Sequence, residues 1–155
     1  MDKPKLTGSS RFKQGIFKPK HPEKYMGDPS EILYRSGLEM RFMKWLDTHP
    51  AILKWGSEEI TIPYKNPLDG KMHRYFPDFV LVLKDRDENI KKMMVEIKPK
   101  KETMKPVKGN KKRGTYLTEA TTYMINKTKW NAAAEHCKKH DVIFAVWTEE
   151  VLKWL

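Results

Sequence analysis

From Tyr34 the apolar residues Leu38, Phe42, Trp45 and Leu46 keep to one face of a 3.6-residue period. Just ahead, Asp28-Pro29-Ser30-Glu31 offers a capping side chain, a proline suited to the first helical position and a capping-box acid. The pattern predicts a helix over 29–48, stopped by His49-Pro50. Beyond it the period changes. Residues 58–64 favour a strand, with Pro63 marking an edge position, and Asn66-Pro67-Leu68-Asp69-Gly70 reads as a turn. A second strand runs over 73–83 into Phe79-Val80-Leu81-Val82-Leu83, and a third runs over 90–98. Residues 99–114 are too basic to bury and read as a loop. A long helix is expected over 117–140, then an almost wholly apolar strand over 142–147, whose composition suggests the sheet interior. A short helix over 148–155 ends the chain. The order is α-β-β-β-α-β, an α/β fold with a mixed sheet flanked by helices. No internal repeat appears. Residues 1–27, rich in Lys, Pro, Gly and Ser, are expected to form an extended basic arm ahead of one domain over 28–155.

The length of 155 residues allows a real core without staples, and 39% hydrophobic residues exclude a disordered chain. No apolar run approaches the roughly 20 residues of a membrane span, and no secretory signal is visible. The one cysteine, Cys137, excludes an internal disulfide and fits a reducing cytoplasm. Charge changes the picture most. The net +11 comes from two short stretches, +5 within 1–24 and +7 within 98–113, while the rest is nearly balanced. Such patches point to a polyanion, because each cation placed on a phosphate releases condensed counterion. The expected DNA contacts in the second stretch are Lys100, Lys101, Lys105, Lys108, Lys111, Lys112 and Arg113. Solvated basic tails that only aid solubility are the blander alternative.

The third strand is the first buried element to carry charge. Side chains alternate along it, so Glu96 and Lys98 project from one face while Val95 and Ile97 pack on the other. On the preceding strand Asp78 stands between Pro77 and Phe79, and a hairpin pairing would bring it to the Glu96 end. Glu39 lies on the shoulder of the first helix's apolar face. Three carboxylates converging on one point suit Mg²⁺, or Mn²⁺ in its place, and such a cation can activate water and polarise a phosphoryl group. Lys98 would orient the attacking water and offset developing charge. The non-catalytic alternative pairs Glu96 with Lys98 and Asp78 with Arg74 as salt bridges at the sheet edge.

Pro77-Asp78 and Glu96-Ile97-Lys98 within this element order resemble the PD-(D/E)XK superfamily, the restriction-endonuclease-like fold. The helical acid Glu39 belongs to the same pattern. More closely, the chain is similar to the head-completion nucleases of T-even-type tailed phages, with a core like that of the endonucleases that cut transposon ends. The resemblance rests on Gln14-Gly15-Ile16-Phe17-Lys18-Pro19-Lys20, Ile52-Leu53-Lys54-Trp55-Gly56-Ser57-Glu58-Glu59, His73-Arg74-Tyr75-Phe76-Pro77-Asp78-Phe79 and Val95-Glu96-Ile97-Lys98-Pro99. It implies a metal-dependent endonuclease with Glu39, Asp78, Glu96 and Lys98 as catalytic residues, and a Mg²⁺ held by Asp78, Glu96 and Ile97. It also implies double-stranded DNA as substrate, phage head or portal-vertex proteins as partners, and a passage from host cytoplasm to virion. A non-cutting protein that plugs the filled head is the competing expectation.

Further residues carry weaker signals. His73 and Arg74 could touch the scissile phosphate or form a surface pair at the turn exit. Lys127 and Lys129, on the second long helix, could reach phosphate or form its solvated face. Glu119 fits the helix dipole better than a metal site. His136, Cys137 and His140 lack a fourth ligand and read as a helix-end cluster rather than a zinc site. The five Trp lie mostly at core spacings, with a semi-exposed docking residue as the alternative reading of Trp55. No Gly-rich phosphate cradle or nucleophile motif appears, so no nucleotide cofactor is expected.

Overall fold

The computed structural model describes residues 14–154. Its centre is a four-stranded mixed sheet built from β3 (Ile52–Ser57), β6 (Phe79–Lys84), β7 (Ile90–Ile97) and β8 (Ile143–Trp147) in the order β3-β6-β7-β8. The β3-β6 and β6-β7 pairs are antiparallel, and β7-β8 is parallel. Two helices cover the sheet: α1 (Gly37–Thr48) on one face and α2 (Arg113–Lys139) on the other. The expected α-β-β-β-α-β order therefore holds, but with Ile52–Ser57 in the first strand position. That segment is not legible as a strand, because its two exposed residues in succession and a register shift between Ile52 and Lys54 hide the alternation.

The residues expected as the first strand instead contribute β4 (Ile62–Lys65), which pairs only with β5 (Met72–Tyr75) in a separate hairpin. Pro63 is thus on a two-stranded ribbon with no need of a ladder donor on its outer side. The long second strand splits for the same kind of reason: Pro77, fully buried, has no N–H to offer, and it separates β5 from β6.

Leu33–Tyr34, expected as helix, forms β2 and pairs with β1 (Gly15–Ile16). Asp28 does not cap a helix. It closes a local turn by accepting from the N–H and hydroxyl of Ser30. The helix begins eight residues later, where Ser36 Oγ accepts from the Glu39 N–H at 3.1 Å.

The described part of the basic arm is also folded. Phe17 and Tyr25 are core residues packed on Trp55, and Tyr25 forms a β-bridge with it. Asp47, buried on α1, accepts from the N–H groups of Lys20 and His21, while Lys24 Nζ donates to the carbonyls of Asp47 and His49. The folded unit therefore begins ahead of residue 28, and the part of the arm over 1–13 lies outside the described residues. Trp55 is wholly buried by this segment, which decides for the core over the semi-exposed docking role.

One core layer joins α1 to Ile52, Phe79, Leu81, Val95 and Ile97. The other joins Trp130, Ala133 and Cys137 of α2 to Val80, Met94 and the β4-β5 hairpin. β8 is an edge strand, not an interior one. It is apolar because both its faces are covered: Phe144 and Val146 pack with α2, while Trp147 stacks on Phe42 and meets Trp45 of α1.

Candidate active site

The β6-β7 register pairs Phe79 with Val95 and Val80 with Met94. Extended outward by one residue, it sets Asp78 opposite Glu96 at the end of the hairpin. The placement is held by a hydrogen bond from the Ile97 N–H to Asp78 Oδ2 at 2.7 Å. Val95 and Ile97 are locked in the α1-side core, so alternation turns Glu96 toward α2. There the Tyr75 hydroxyl, from the end of β5, donates to Glu96 Oε2 at 2.7 Å, and both groups are buried. Lys98 Nζ lies 3.8 Å from Glu96 Oε1. The sheet-edge pair of Glu96 and Lys98 thus exists, but Asp78 takes no part in its expected bridge: Arg74 is exposed and makes no ion pair among the described residues.

Burial dominates the electrostatics. Desolvation raises the Asp78 carboxyl well above its usual range, and the neighbouring Glu96 and Glu39 raise it further, while the Ile97 N–H and Lys98 act the other way. Glu96 is raised first by desolvation, against the hydrogen bond from Tyr75, the charge of Lys98 and a hydrogen bond shared with Asp78. The two acids are therefore like charges brought together in one desolvated place, which favours the protonated form of each. Burial and the adjacent Glu96 push the Tyr75 hydroxyl upward, so it remains a donor.

Glu39 stands beside this pair rather than within it. Its Oε2 accepts from the Arg35 N–H at 3.1 Å, closing the N-terminus of α1, and burial raises its carboxyl against that bond and the charges of Arg35 and Lys98. Among the described residues no three side chains of His, Cys, Asp and Glu converge tightly enough to enclose an ion. The expected three-acid cluster is thus a two-acid pair with a third acid engaged in capping. The pair still fits a hard cation chemically. Two desolvated carboxylates and a main-chain carbonyl such as that of Ile97 form an all-oxygen set of the kind Mg²⁺ accepts while keeping several waters.

Two further residues approach the pair from the α2 side. Tyr75 is not legible as a site residue, since it reads as one more aromatic in a strand. Only the split at Pro77 brings β5 over the sheet. Lys129, expected to reach phosphate, is half-buried and lies 5.7 Å from the ring centroids of both Tyr64 and Tyr75. Burial lowers its ammonium, with Glu96 and Asp78 favouring the charge and Lys98 opposing it. It is therefore a second cation facing the acids. Lys127, two residues away, is exposed.

The remaining expected contacts lie apart from the pair. His73 Nε2 is 2.7 Å from Asp69 Oδ2 and its ring packs beside Tyr64, which holds it in the β4-β5 hairpin. Of the basic segment, Lys100 is bonded to Glu150 and Lys111 to Glu119, while Lys101, Lys105, Lys108, Lys112 and Arg113 are exposed. Glu119 thus pairs within the loop region. Cys137 is buried against the Met94 sulfur while His136 and His140 pack on each other, so these three do not share a site.

Residues 49–149 match the family described as TnsA-like endonuclease N terminal. They include Asp78, Glu96 and Lys98. The chain belongs to this family. It is also 41% identical over 147 residues to the head completion nuclease of Enterobacteria phage T4, covering 91% of this chain and 94% of that protein. No solved structure matches it. The TnsA-like match begins after α1 and spans all four strands of the sheet and α2. Glu39 and the folded N-terminal segment lie before it. Asp78, Glu96 and Lys98 thus fall within the matched residues, and no helix among the described residues is long and apolar enough to cross a membrane.

Proposed function

We propose that this chain is a divalent-metal-dependent endodeoxyribonuclease that hydrolyses phosphodiester bonds while the phage head is completed after DNA packaging. The observation that carries the reading is the pairing of Asp78 with Glu96 at a desolvated sheet end, with Lys98 3.8 Å from Glu96. A structural plug has no use for such a pair beside DNA, because carboxylates repel phosphate unless a cation lies between them. The likeness to the T4 head completion nuclease supports the setting.

Asp78, Glu96 and the Ile97 carbonyl would hold Mg²⁺ or Mn²⁺. When bound, the cation supplies Lewis acidity toward the phosphoryl oxygens and neutralises charge there. The chain's own residues do the rest. Lys98 orients the attacking water and offsets charge developing in the transition state. Tyr75 fixes the Glu96 carboxylate, and Lys129 adds positive potential on the α2 side. The exposed lysines of the 98–113 segment hold the DNA backbone without regard to sequence. The partners in this reading are double-stranded DNA and proteins of the head or portal vertex. Its locations are the host cytoplasm during assembly and afterwards the virion.

The test incubates purified protein with linear and supercoiled DNA, with Mg²⁺, Mn²⁺ or chelator, and then with filled heads. Cation-dependent cutting of either DNA supports the reading. Binding to DNA or heads with no cutting under any condition makes the chain a plug protein instead.

A further inference from the structure

A cleft of about 640 Å³ lies between the basic segment and the N-terminal half of α2. Its rim carries Lys101 and Lys105, which have no carboxylate partner among the described residues, unlike Lys100 and Lys111. One wall is apolar: Met104 and Val107 are 59% and 74% exposed, and Pro106 stands between them. The α2 side offers Tyr123 and Asn126. Asn126 is only 7% exposed, yet its amide has no hydrogen-bond partner among the described residues. Its side-chain amide, on the lining of the cleft and not among the fully enclosed polar atoms without a partner, can both donate and accept there.

We infer that this cleft binds unpaired nucleotides of the DNA strand being cut, with Asn126 bonding a base edge. The inference rests on the nuclease reading for the identity of the ligand. Three observations select unpaired nucleotides over other anions. The rim is cationic, which suits a phosphate chain. The walls are apolar and include an aromatic ring, which suits base faces that a duplex hides within its stack. The Asn126 amide, donor and acceptor at once, matches the donor and acceptor edges that bases show once unpaired. The cleft and the acids are linked through α2. Asn126 and Lys129 are three residues apart on one side of α2, about 4.5 Å along the axis, and Lys129 faces Glu96 and Asp78. Glu119 does not oppose binding, since Lys111 neutralises it at 2.6 Å. Glu102 is the one other acid on the lining.

The experiment is fluorescence anisotropy in chelator, so that it does not depend on cutting. The probes are a labelled single-stranded DNA hexamer of mixed sequence, the same hexamer with every site abasic, and a short duplex. The full chain should bind the base-bearing strand at least about tenfold more tightly than the abasic one, the order of effect that one base-edge contact carries. Asn126→Ala should remove most of that margin. Val107→Glu, at an exposed position where folding is not at stake, should remove it as well, with an unchanged melting temperature. Equal affinity for base-bearing and abasic strands would overturn the inference and leave a phosphate track. So would a margin that survives Val107→Glu, or tighter binding of the duplex than of the base-bearing strand. Cleavage of duplex with Mg²⁺ is scored separately. A base-dependent margin without cleavage would sink the nuclease reading while the cleft remained a single-strand site.

Discussion

Two charged regions of this molecule differ in what their surroundings do to charge. At the end of the β6-β7 hairpin, Asp78 and Glu96 are desolvated neighbours, fixed by the Ile97 N–H and the Tyr75 hydroxyl. Along residues 99–113 the charges are mostly exposed, and two of the lysines are paired with glutamates of the same chain. Electrostatic effects are large where water is excluded and small where it is not. The first region should therefore govern chemistry and stability, and the second the salt dependence of binding. The difference also teaches that the richer patch of charge in the sequence is not the more consequential one.

Lys98→Ala should break the first region most completely. We expect cleavage to fall about 1000-fold or more, as when a transition-state charge partner is removed, with DNA affinity within a few-fold of wild type. Single-turnover assays beside binding isotherms read both quantities. Activity within about tenfold of wild type would assign Lys98 to the salt bridge with Glu96 alone.

Asp78→Asn should abolish cutting as well, and its signature is in the melting curves. Without metal the variant should be at least as stable as wild type, because one repelling charge in a desolvated pair is gone. Mn²⁺ should raise the melting temperature of wild type and not of the variant. The pH dependence has a definite sign. The folded state holds the Asp78 and Glu96 carboxyls above their unfolded values, so it binds protons more tightly than the unfolded chain does. In chelator, this contribution to stability is full below about pH 4 and disappears as pH rises through the raised folded values. Asp78→Asn should flatten that decline. A wild type indifferent to Mn²⁺, paired with a destabilised Asp78→Asn, contradicts the metal reading.

Tyr75→Phe tests whether the fixing of Glu96 matters. Removing one buried hydroxyl should lower kcat by roughly 10-fold to 100-fold and weaken Mn²⁺ binding, in the range seen for residues that orient ligands. KM for DNA should stay near wild type, which a general failure of folding would not produce. Unchanged Mn²⁺ affinity and kcat would leave Tyr75 a core residue only.

The smallest effects belong to the second region. Replacing Lys101, Lys105, Lys108, Lys112 and Arg113 with Gln should reduce the slope of log affinity against log salt by about 0.9 for each duplex phosphate that is no longer neutralised. Lys100→Gln and Lys111→Gln should change it less, since Glu150 and Glu119 already hold those ammonium groups. If all seven act alike, the internal pairs do not persist on DNA. If none acts, the patch faces a protein.

How much of this is legible in the amino-acid order depends on the range of the interaction. Glu96, Ile97 and Lys98 stand out because strand alternation is local, and Asp78 because the hairpin between two strong apolar runs leaves one plausible pairing. The helix start is ambiguous because Asp28-Pro29-Ser30-Glu31 and Ser36 both carry capping chemistry. Leu33 and Tyr34 decide between them by pairing with a strand from the distant N-terminal segment. Trp55 escapes local reading for the same reason: the residues that bury it, Phe17 and Tyr25, lie some 30 positions away in a stretch that looks like a linker.

By itself, the sequence determined the element order, the apolar strands, the acidic and lysine positions on β7, and the concentration of positive charge in short segments. All of these follow from composition and from periods of two or 3.6 residues. The tertiary structure alone decided that β3 rather than the 58–64 segment opens the sheet, and that β8 is an edge strand partly covered by helices on both faces. It also decided that Glu39 caps its own helix, that Tyr75 clamps Glu96, and that Lys129 turns inward between two tyrosines. Each of these depends on how segments far apart in the chain meet. The free energy of such a meeting depends on what water is displaced there, and no local pattern records that.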